Sequence, residues 1–192
     1  MTVISPCDSI EAKKATMAIA KDTQKTPVYL RLAREKTPII TSEDTPFEIG
    51  KAQIFFTPDL KKIGKEKAHV AIIATGALVH KALKVAHDLE KENVGVIVIN
   101  LSTIKPLDAK TIVAVAKEAG AVVTVEEHQI AGGMGSAVSE CLAQECPVPI
   151  EFIGVHDRFG QSGTPTELIE YYGMGEKDIR QAVEKVIGRK GK

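Results

Sequence analysis

The sequence predicts an α/β fold: a doubly wound, three-layer α/β/α arrangement around a mostly parallel sheet, with a short β-α-β segment in front of it. Three observations carry the prediction. Residues 70–74 (Val-Ala-Ile-Ile-Ala) and 121–125 (Ala-Val-Val-Thr-Val) are short runs of β-branched and small apolar residues, the composition of strands buried on both faces. Each run leads to a glycine-containing turn, Thr75-Gly76 in one case and Gly132-Gly133-Met134-Gly135-Ser136 in the other, and then to a helical pattern. From residue 70 to residue 187 strand and helix patterns alternate, which right-handed crossovers convert into a parallel sheet covered on both faces.

In chain order, residues 2–4 read as a strand stopped by Ser5-Pro6. Asp8 starts a helix: Asp8 and Glu11 have capping-box spacing, and Ile10, Met17 and Ile19 with the intervening alanines form its expected apolar face. That helix ends over residues 21–25, and alternation makes residues 28–34 a strand. Such a unit is too small to be a domain, so it is expected to be an arm on the following domain or the tail of another. Residues 37–48 are rich in Thr, Pro and acids and read as a linker. Residues 53–56 read as a strand or edge ribbon, and 58–67 as a lysine-rich solvated loop. The main domain then runs strand 70–74, helix 77–92, strand 94–99, loop 100–107, and a helix capped by Asp108 and ending near Gly120. Strand 121–125, a helix to about residue 144, strand 149–155, a polar loop 156–165 and helices 166–172 and 176–187 complete it. The basic tail 188–192 is expected to fray. The expected divisions are 1–36, 37–68 and 69–192.

Composition narrows the function classes. With 44% hydrophobic and 26% charged residues, the 192-residue chain has an ordinary globular make-up. Twenty-five basic and 25 acidic residues cancel, which removes the electrostatic case for nucleic acid or an anionic membrane. Trp is absent and aromatics are 4%, too few for base-stacking platforms. Cys7, Cys141 and Cys146 form no C-x-x-C pair, which argues against disulfides or zinc and fits a reducing cytoplasm. No apolar run is long enough for a bilayer span, and the first residues lack the pattern of a signal peptide.

Glu126, Glu127 and His128 stand at the carboxyl end of a predicted strand, where open α/β sheets meet ligands and partners. Two readings stay open: a solvated strand end, or a polar junction facing a partner subunit or an active site, because buried adjacent acids need partners. The glycine cluster could hold a phosphate at a helix start or serve close helix–strand packing. It is not G-x-G-x-x-G, it has no Walker lysine, and no acid closes the next strand. Arg31 and Arg34 leave the 28–34 strand on opposite faces if the strand continues; guanidinium forks suit phosphate or carboxylate, with surface or interface salt bridges as the alternative. His69, His80, His87, His128 and His156 are scattered; His80 and His87 are expected in solvent, and His128 and His156 could approach each other. There is no evident metal-ligand set, no G-x-S-x-G elbow, and no cysteine with an obvious base. In Asp157-Arg158-Phe159-Gly160-Gln161-Ser162-Gly163 an acid and a base stand side by side, either to latch onto Glu126 and Glu127 or to lie in a solvated glycine loop.

Taken in order, these segments resemble the carboxyl-terminal part of transketolase. Ile4-Ser5-Pro6-Cys7-Asp8 is similar to the Pro-x-Asp turn late in that family's pyrimidine-binding domain, and residues 26–34 (Thr-Pro-Val-Tyr-Leu-Arg-Leu-Ala-Arg) to that domain's last strand. Ala74-Thr75-Gly76, Thr103-Ile104-Lys105-Pro106-Leu107-Asp108, Thr124-Val125-Glu126-Glu127-His128 with the glycine cluster, and the Asp157–Gly163 loop follow in the family's order. The set spans nearly the whole chain and resembles the separately encoded half of a split transketolase. Deoxyxylulose-phosphate synthase and the beta subunits of 2-oxoacid dehydrogenases share the domain. Arg31-x-x-Arg34 and Asp157-Arg158-Phe159-Gly160 look more like transketolase, although the synthase shares the latter loop.

The resemblance implies a thiamine diphosphate- and Mg²⁺-dependent enzyme that moves a two-carbon ketol unit between phosphosugars. Residues 1–36 would be the tail of the pyrimidine-binding domain and 69–192 the C-terminal domain. Arg34 matches the position that binds the substrate phosphate in the family; Arg31 carries no firm role. The family's diphosphate and metal site, its activating glutamate and its channel histidines have no counterparts here, and residues 53–67 are longer than the usual connection. The expectation is therefore a chain that is inactive and binds no cofactor alone, works with an N-terminal transketolase subunit, and dimerises through the sheet-end loops. A non-catalytic docking or regulatory module is the rival from another class, and a nucleotide-binding domain is a third reading.

Overall fold

The computed structural model describes residues 1–22, 26–61, 63–64 and 69–190. Its strands are β1 (Thr2–Ile4), β2 (Val28–Leu30), β3 (Gln53–Phe56), β4 (Val70–Ala74), β5 (Val96–Asn100), β6 (Thr103–Lys105), β7 (Val122–Gln129) and β8 (Ile150–Val155). Its helices are α1 (Ser9–Lys21), α2 (Val79–Lys91), α3 (Ala109–Ala119), α4 (Met134–Glu145), α5 (Pro165–Tyr171) and α6 (Glu176–Ile187). A 3-10 turn, Gly76–Leu78, leads into α2.

Five strands form the main sheet in the order β3-β5-β4-β7-β8. β5, β4, β7 and β8 are parallel, and β3 pairs antiparallel with β5. The predicted mixed, mostly parallel architecture is present. Successive residues of β4 serve opposite faces: Val70, Ile72 and Ala74 pack with α2 and α6, while Ala71 and Ile73 pack with α3 and α4. All five β4 residues are buried, as are all five of β5. Each fully buried Val or Ile stabilises the fold by about 1.5–3 kcal/mol relative to exposure, so this sheet needs little else to form. The chain passes from β4 to β5 on one side and returns to β7 on the other, which makes the carboxyl end of β4 a topological switch point.

The N-terminal segment does not stand alone. β1 and β2 pair in parallel, and β6, from the stretch expected to be a loop, adds antiparallel to β1. This three-stranded sheet, ordered β2-β1-β6, gives the β-α-β segment the partner strand that its own sequence lacks. Local propensity in 100–107 is weak, and the pairing with β1 overrides it.

Other expectations need correction. β2 ends at Leu30, so the alternation through Arg34 belongs to a segment outside the sheet that bends at Arg34 and Glu35. β5 begins at Val96, two residues late. β7 runs on to Gln129, through a register irregularity between Val125 and Gln129, so the acidic pair lies inside the strand and not after it. On α1 the buried positions are Glu11 and Ala15, whereas Met17 is 53% exposed. That helix packs through a carboxylate and an alanine, while Ile10 and Ile19 are only partly buried and Met17 is outside its inner face. The tail is pinned as far as Lys190: Arg189 Nη1 donates to Ile150 O at 2.8 Å, and Lys190 Nζ donates to Ala119 O at 2.7 Å. Residues 23–25 and 65–68, where a helix end and part of the lysine-rich loop were expected, lie outside the described residues.

Candidate functional site at the junction of the two sheets

The residues singled out in the sequence divide into three groups. The first centres on Glu126, which is 2% exposed. Its two carboxylate oxygens accept N–H bonds from Met134 and Gly135, each 2.7 Å long, at the start of α4. The glycine cluster therefore does bind an anion, but that anion is the protein's own. The helix N-terminus supplies unpaired donors and positive potential, and Glu126 satisfies both. A Cβ at Gly133 would stand 2.3 Å from Gln129 O and 2.4 Å from Glu126 Oε2, so only glycine fits there. Burial pushes the Glu126 carboxyl above its usual range, against the pull of the two N–H groups, His128 and Arg31. This arrangement leaves no phosphate cradle at the glycines.

Around it, Arg31 Nη2 donates to Glu127 O at 2.6 Å and so ties the segment after β2 to β7. Glu127 is exposed. His128 is also exposed, with Nδ1 2.9 Å from Gln129 O and 4.0 Å from the buried Glu126 carboxylate. Arg31, Glu126 and His128 line a mostly apolar groove of about 510 Å³ between the small sheet and α4. His156 faces a different groove, with Arg158, so the two histidines do not form one site.

The second group is Arg34. It lies beyond β2 on an exposed stretch and makes no ion pair among the described residues. It lines a cleft of about 560 Å³ with Lys36, His80, Lys81, Glu127 and residues of α5. Lys81 is partly neutralised by Glu170 and Glu176, each 3.8 Å away. His80 is half-buried, with Nδ1 2.9 Å from Ala77 O, while His87 is exposed as expected.

The third group is the 157–163 loop. Asp157 has a positive φ of 48°, and its N–H donates to Gln129 Oε1 at 3.0 Å. Tyr172 Oη donates to Phe159 O at 2.7 Å. No ion pair joins Asp157 or Arg158 to Glu126 or Glu127 among the described residues. Glu126 already accepts from two N–H groups of α4, and Glu127 is exposed to solvent without a bond to this loop among the described residues.

Sequence reasoning passed over a fourth set, the buried polar contacts that join the two sheets. Glu11, 2% exposed, accepts from Cys7 N at 2.7 Å and from Asn100 Nδ2 at 2.7 Å. Glu11 thus reaches past the N-cap to the end of β5. Asp8, 4% exposed, accepts from Glu11 N, Ile40 N, Thr41 N and Thr41 Oγ1. The signal for this set was Asn100, a lone amide closing the apolar run Val96-Ile97-Val98-Ile99. Burial and the neighbouring Glu11 push the Cys7 thiol far above its usual range, which removes it as a nucleophile.

The family model described as "Transketolase, C-terminal domain" matches residues 61–179. The chain belongs to that family. It is 39% identical over 99% of its length to the 6-deoxy-6-sulfo-D-fructose transketolase subunit SqwH of a Clostridium strain, of which it covers 56%. It is 36% identical to a putative transketolase C-terminal section of Methanocaldococcus jannaschii, covering 95% of this chain and 54% of that one. Among solved structures, a split-gene transketolase in an inactive beta4 tetramer superposes with a TM-score of 0.85 and 39% identity, over 99% of this chain and 59% of that chain. A transketolase of Campylobacter jejuni shares the fold, with a TM-score of 0.69 at 20% identity over 96% of this chain and 26% of that one. The chain spans about half the length of the split-type relatives it matches and under a third of the longer transketolases.

Among the described residues no three His, Cys, Asp or Glu side chains are grouped to hold a metal ion. The glycine-rich start of α4 is filled by Glu126. The described residues therefore do not fit a diphosphate-and-metal site. No helix of the described residues is long and apolar enough to cross a membrane.

Proposed function

We propose that this chain is the C-terminal portion of a split, thiamine diphosphate-dependent transketolase, and that it works with an N-terminal polypeptide to move a two-carbon ketol unit between phosphosugars. In this reading the cofactor, which supplies the covalent chemistry, and its Mg²⁺ are held by the partner. This chain supplies part of the substrate-binding surface and the packing between subunits, and it is inactive by itself. Assembly involves both the N-terminal partner and a second copy of this chain. Three unpaired cysteines fit a reducing, cytoplasmic setting.

The observation that carries the phosphate role is Arg34: an exposed guanidinium without an ion-pair partner among the described residues, facing a cleft that Lys36, His80 and Lys81 also line. A guanidinium fork matches phosphate geometry and gains little from a lone position in solvent. The test is a transketolase assay with thiamine diphosphate, Mg²⁺ and phosphosugars, on this chain alone and then with its N-terminal partner. Activity is expected only with the partner. Arg34→Ala should raise KM for a phosphosugar by about 10- to 100-fold, the loss of one charged hydrogen-bonded contact. The same change should cost far less with an unphosphorylated acceptor. Equal losses on both acceptors would remove the phosphate role, and activity of the chain alone would remove the division of labour.

A further inference from the structure

We infer that Asp8 is a positioning residue for Arg34, an inference that rests on the phosphate role proposed above. Residues 32–39 make no backbone hydrogen bond among the described residues, and all of them but Thr37 are exposed. The segment is held at its two ends. At the entry, Arg31 N donates to Ile4 O at 2.8 Å. At the exit, Asp8 Oδ2 accepts from Ile40 N at 2.8 Å and Thr41 N at 2.7 Å, and Asp8 Oδ1 accepts from Thr41 Oγ1 at 2.8 Å. The same carboxylate caps α1 by accepting from Glu11 N at 2.9 Å.

Both ends of the Arg34 segment therefore close on residues 4 and 8 of one strand–turn–helix unit. That unit is fixed in turn to the main sheet, because Glu11 accepts from Asn100 at the end of β5. A continuous path of hydrogen bonds runs from Asn100 through Glu11 and the α1 N-terminus to Asp8 and the loop. Nothing in Asp8 as a helix cap requires the three bonds to residues 40 and 41, since a serine caps as well. Their effect is to shorten the free loop. A loop released at residue 40 would have to be ordered again each time phosphate binds, and that cost falls on substrate binding and not on the chemical step.

Asp8→Ser separates the two roles: one hydroxyl can cap α1 but cannot also hold both Ile40 and Thr41. Thr41→Val is the gentler variant, since it removes one of the three loop bonds and leaves the cap intact. In the enzyme reconstituted with its N-terminal partner, Asp8→Ser should raise KM for the phosphosugar by about 5- to 20-fold with little change in kcat. Thr41→Val should move KM the same way by about 2- to 3-fold. Arg31, Arg34 and Lys36 are trypsin sites, so a second readout needs no activity: on the full chain, Asp8→Ser should speed cleavage within 31–36 by about tenfold. The proposal is overturned if Asp8→Ser leaves the tryptic rate unchanged, or if it lowers kcat on phosphorylated and unphosphorylated acceptors alike. If Arg34→Ala fails to separate the two acceptors, the phosphate role is lost; the tryptic rate then still decides whether Asp8 holds the loop.

Discussion

The two sheets of this protein are held by different chemistry. The five-stranded sheet has strands without a single exposed residue at its centre, and apolar side chains fill both of its faces. The three-stranded sheet has strands of three residues each, and β2 is at best half-buried. Buried polar groups tie the small sheet's surroundings together: Glu11 accepts from Asn100 at the end of β5, and Asp8 holds both the start of α1 and Thr41. Apolar burial is non-directional and tolerates some slippage. Buried hydrogen bonds do not, because an unmade one costs more than a made one contributes. The segment that carries Arg34 is fixed at both ends by the second kind.

The comparison can be broken by substitution on each side. Ile73 is fully buried at the centre of β4. Ile73→Ala should cost about 2–5 kcal/mol, the range for a large-to-small change in a core that collapses only in part. Urea unfolding measures it, and a loss under about 1 kcal/mol would mean that the main sheet does not carry the stability assigned to it. At the junction, Glu11→Leu leaves Cys7 N without its acceptor and Asn100 Nδ2 with only the weak Cys7 Sγ acceptor 3.7 Å away, and should cost about 2 kcal/mol. Removing both side chains sharpens the contrast. Glu11→Leu with Asn100→Leu should cost less than the sum of the two single changes, because the pair disappears together. Additive losses would mean that the two side chains are not coupled.

The same contrast explains what the sequence made legible. Hydrophobic runs revealed β4, β5, β7 and β8, the helices between them, and the order of the layers. The period of those runs reports on apolar burial, which is what builds this sheet. β6 was not legible, because Thr103-Ile104-Lys105 pairs only when β1 is already beside it. The capping role of Asp8 was legible from its spacing to Glu11, but the role of Glu11 itself was not. A capping glutamate turns back to its own N-cap, whereas this one turns back to Cys7 N with one oxygen and reaches Asn100, a partner 89 residues away in sequence, with the other. Glu126 shows the same limit. Its position at the carboxyl end of a strand was evident, but that its carboxylate fills the N-terminus of α4 can be found only once α4 is placed.

The smallest effect concerns two of the buried carboxylates, Asp8 and Glu126, which should respond to pH with opposite signs. Burial raises the pKa of Asp8, but its donors Glu11, Ile40 and Thr41 outweigh that and hold it below its ordinary value. Its contribution is thus fully present above the unfolded value of about 3.9, and is lost as pH falls through the lower folded value. For Glu126 burial wins over Gly135, Met134, His128 and Arg31, and the folded value is raised. The folded state then binds the extra proton first, so its contribution declines as pH rises from the unfolded value of about 4.3 through the folded one. Unfolding free energies of the wild type, Asp8→Ser and Glu126→Gln across the acid range separate the two. The advantage of wild type over Asp8→Ser should shrink below about pH 4, while its standing against Glu126→Gln should improve as pH falls from neutral toward that point. If both differences moved the same way, the two carboxylates would not be doing the separate jobs of clamping a loop and capping a helix.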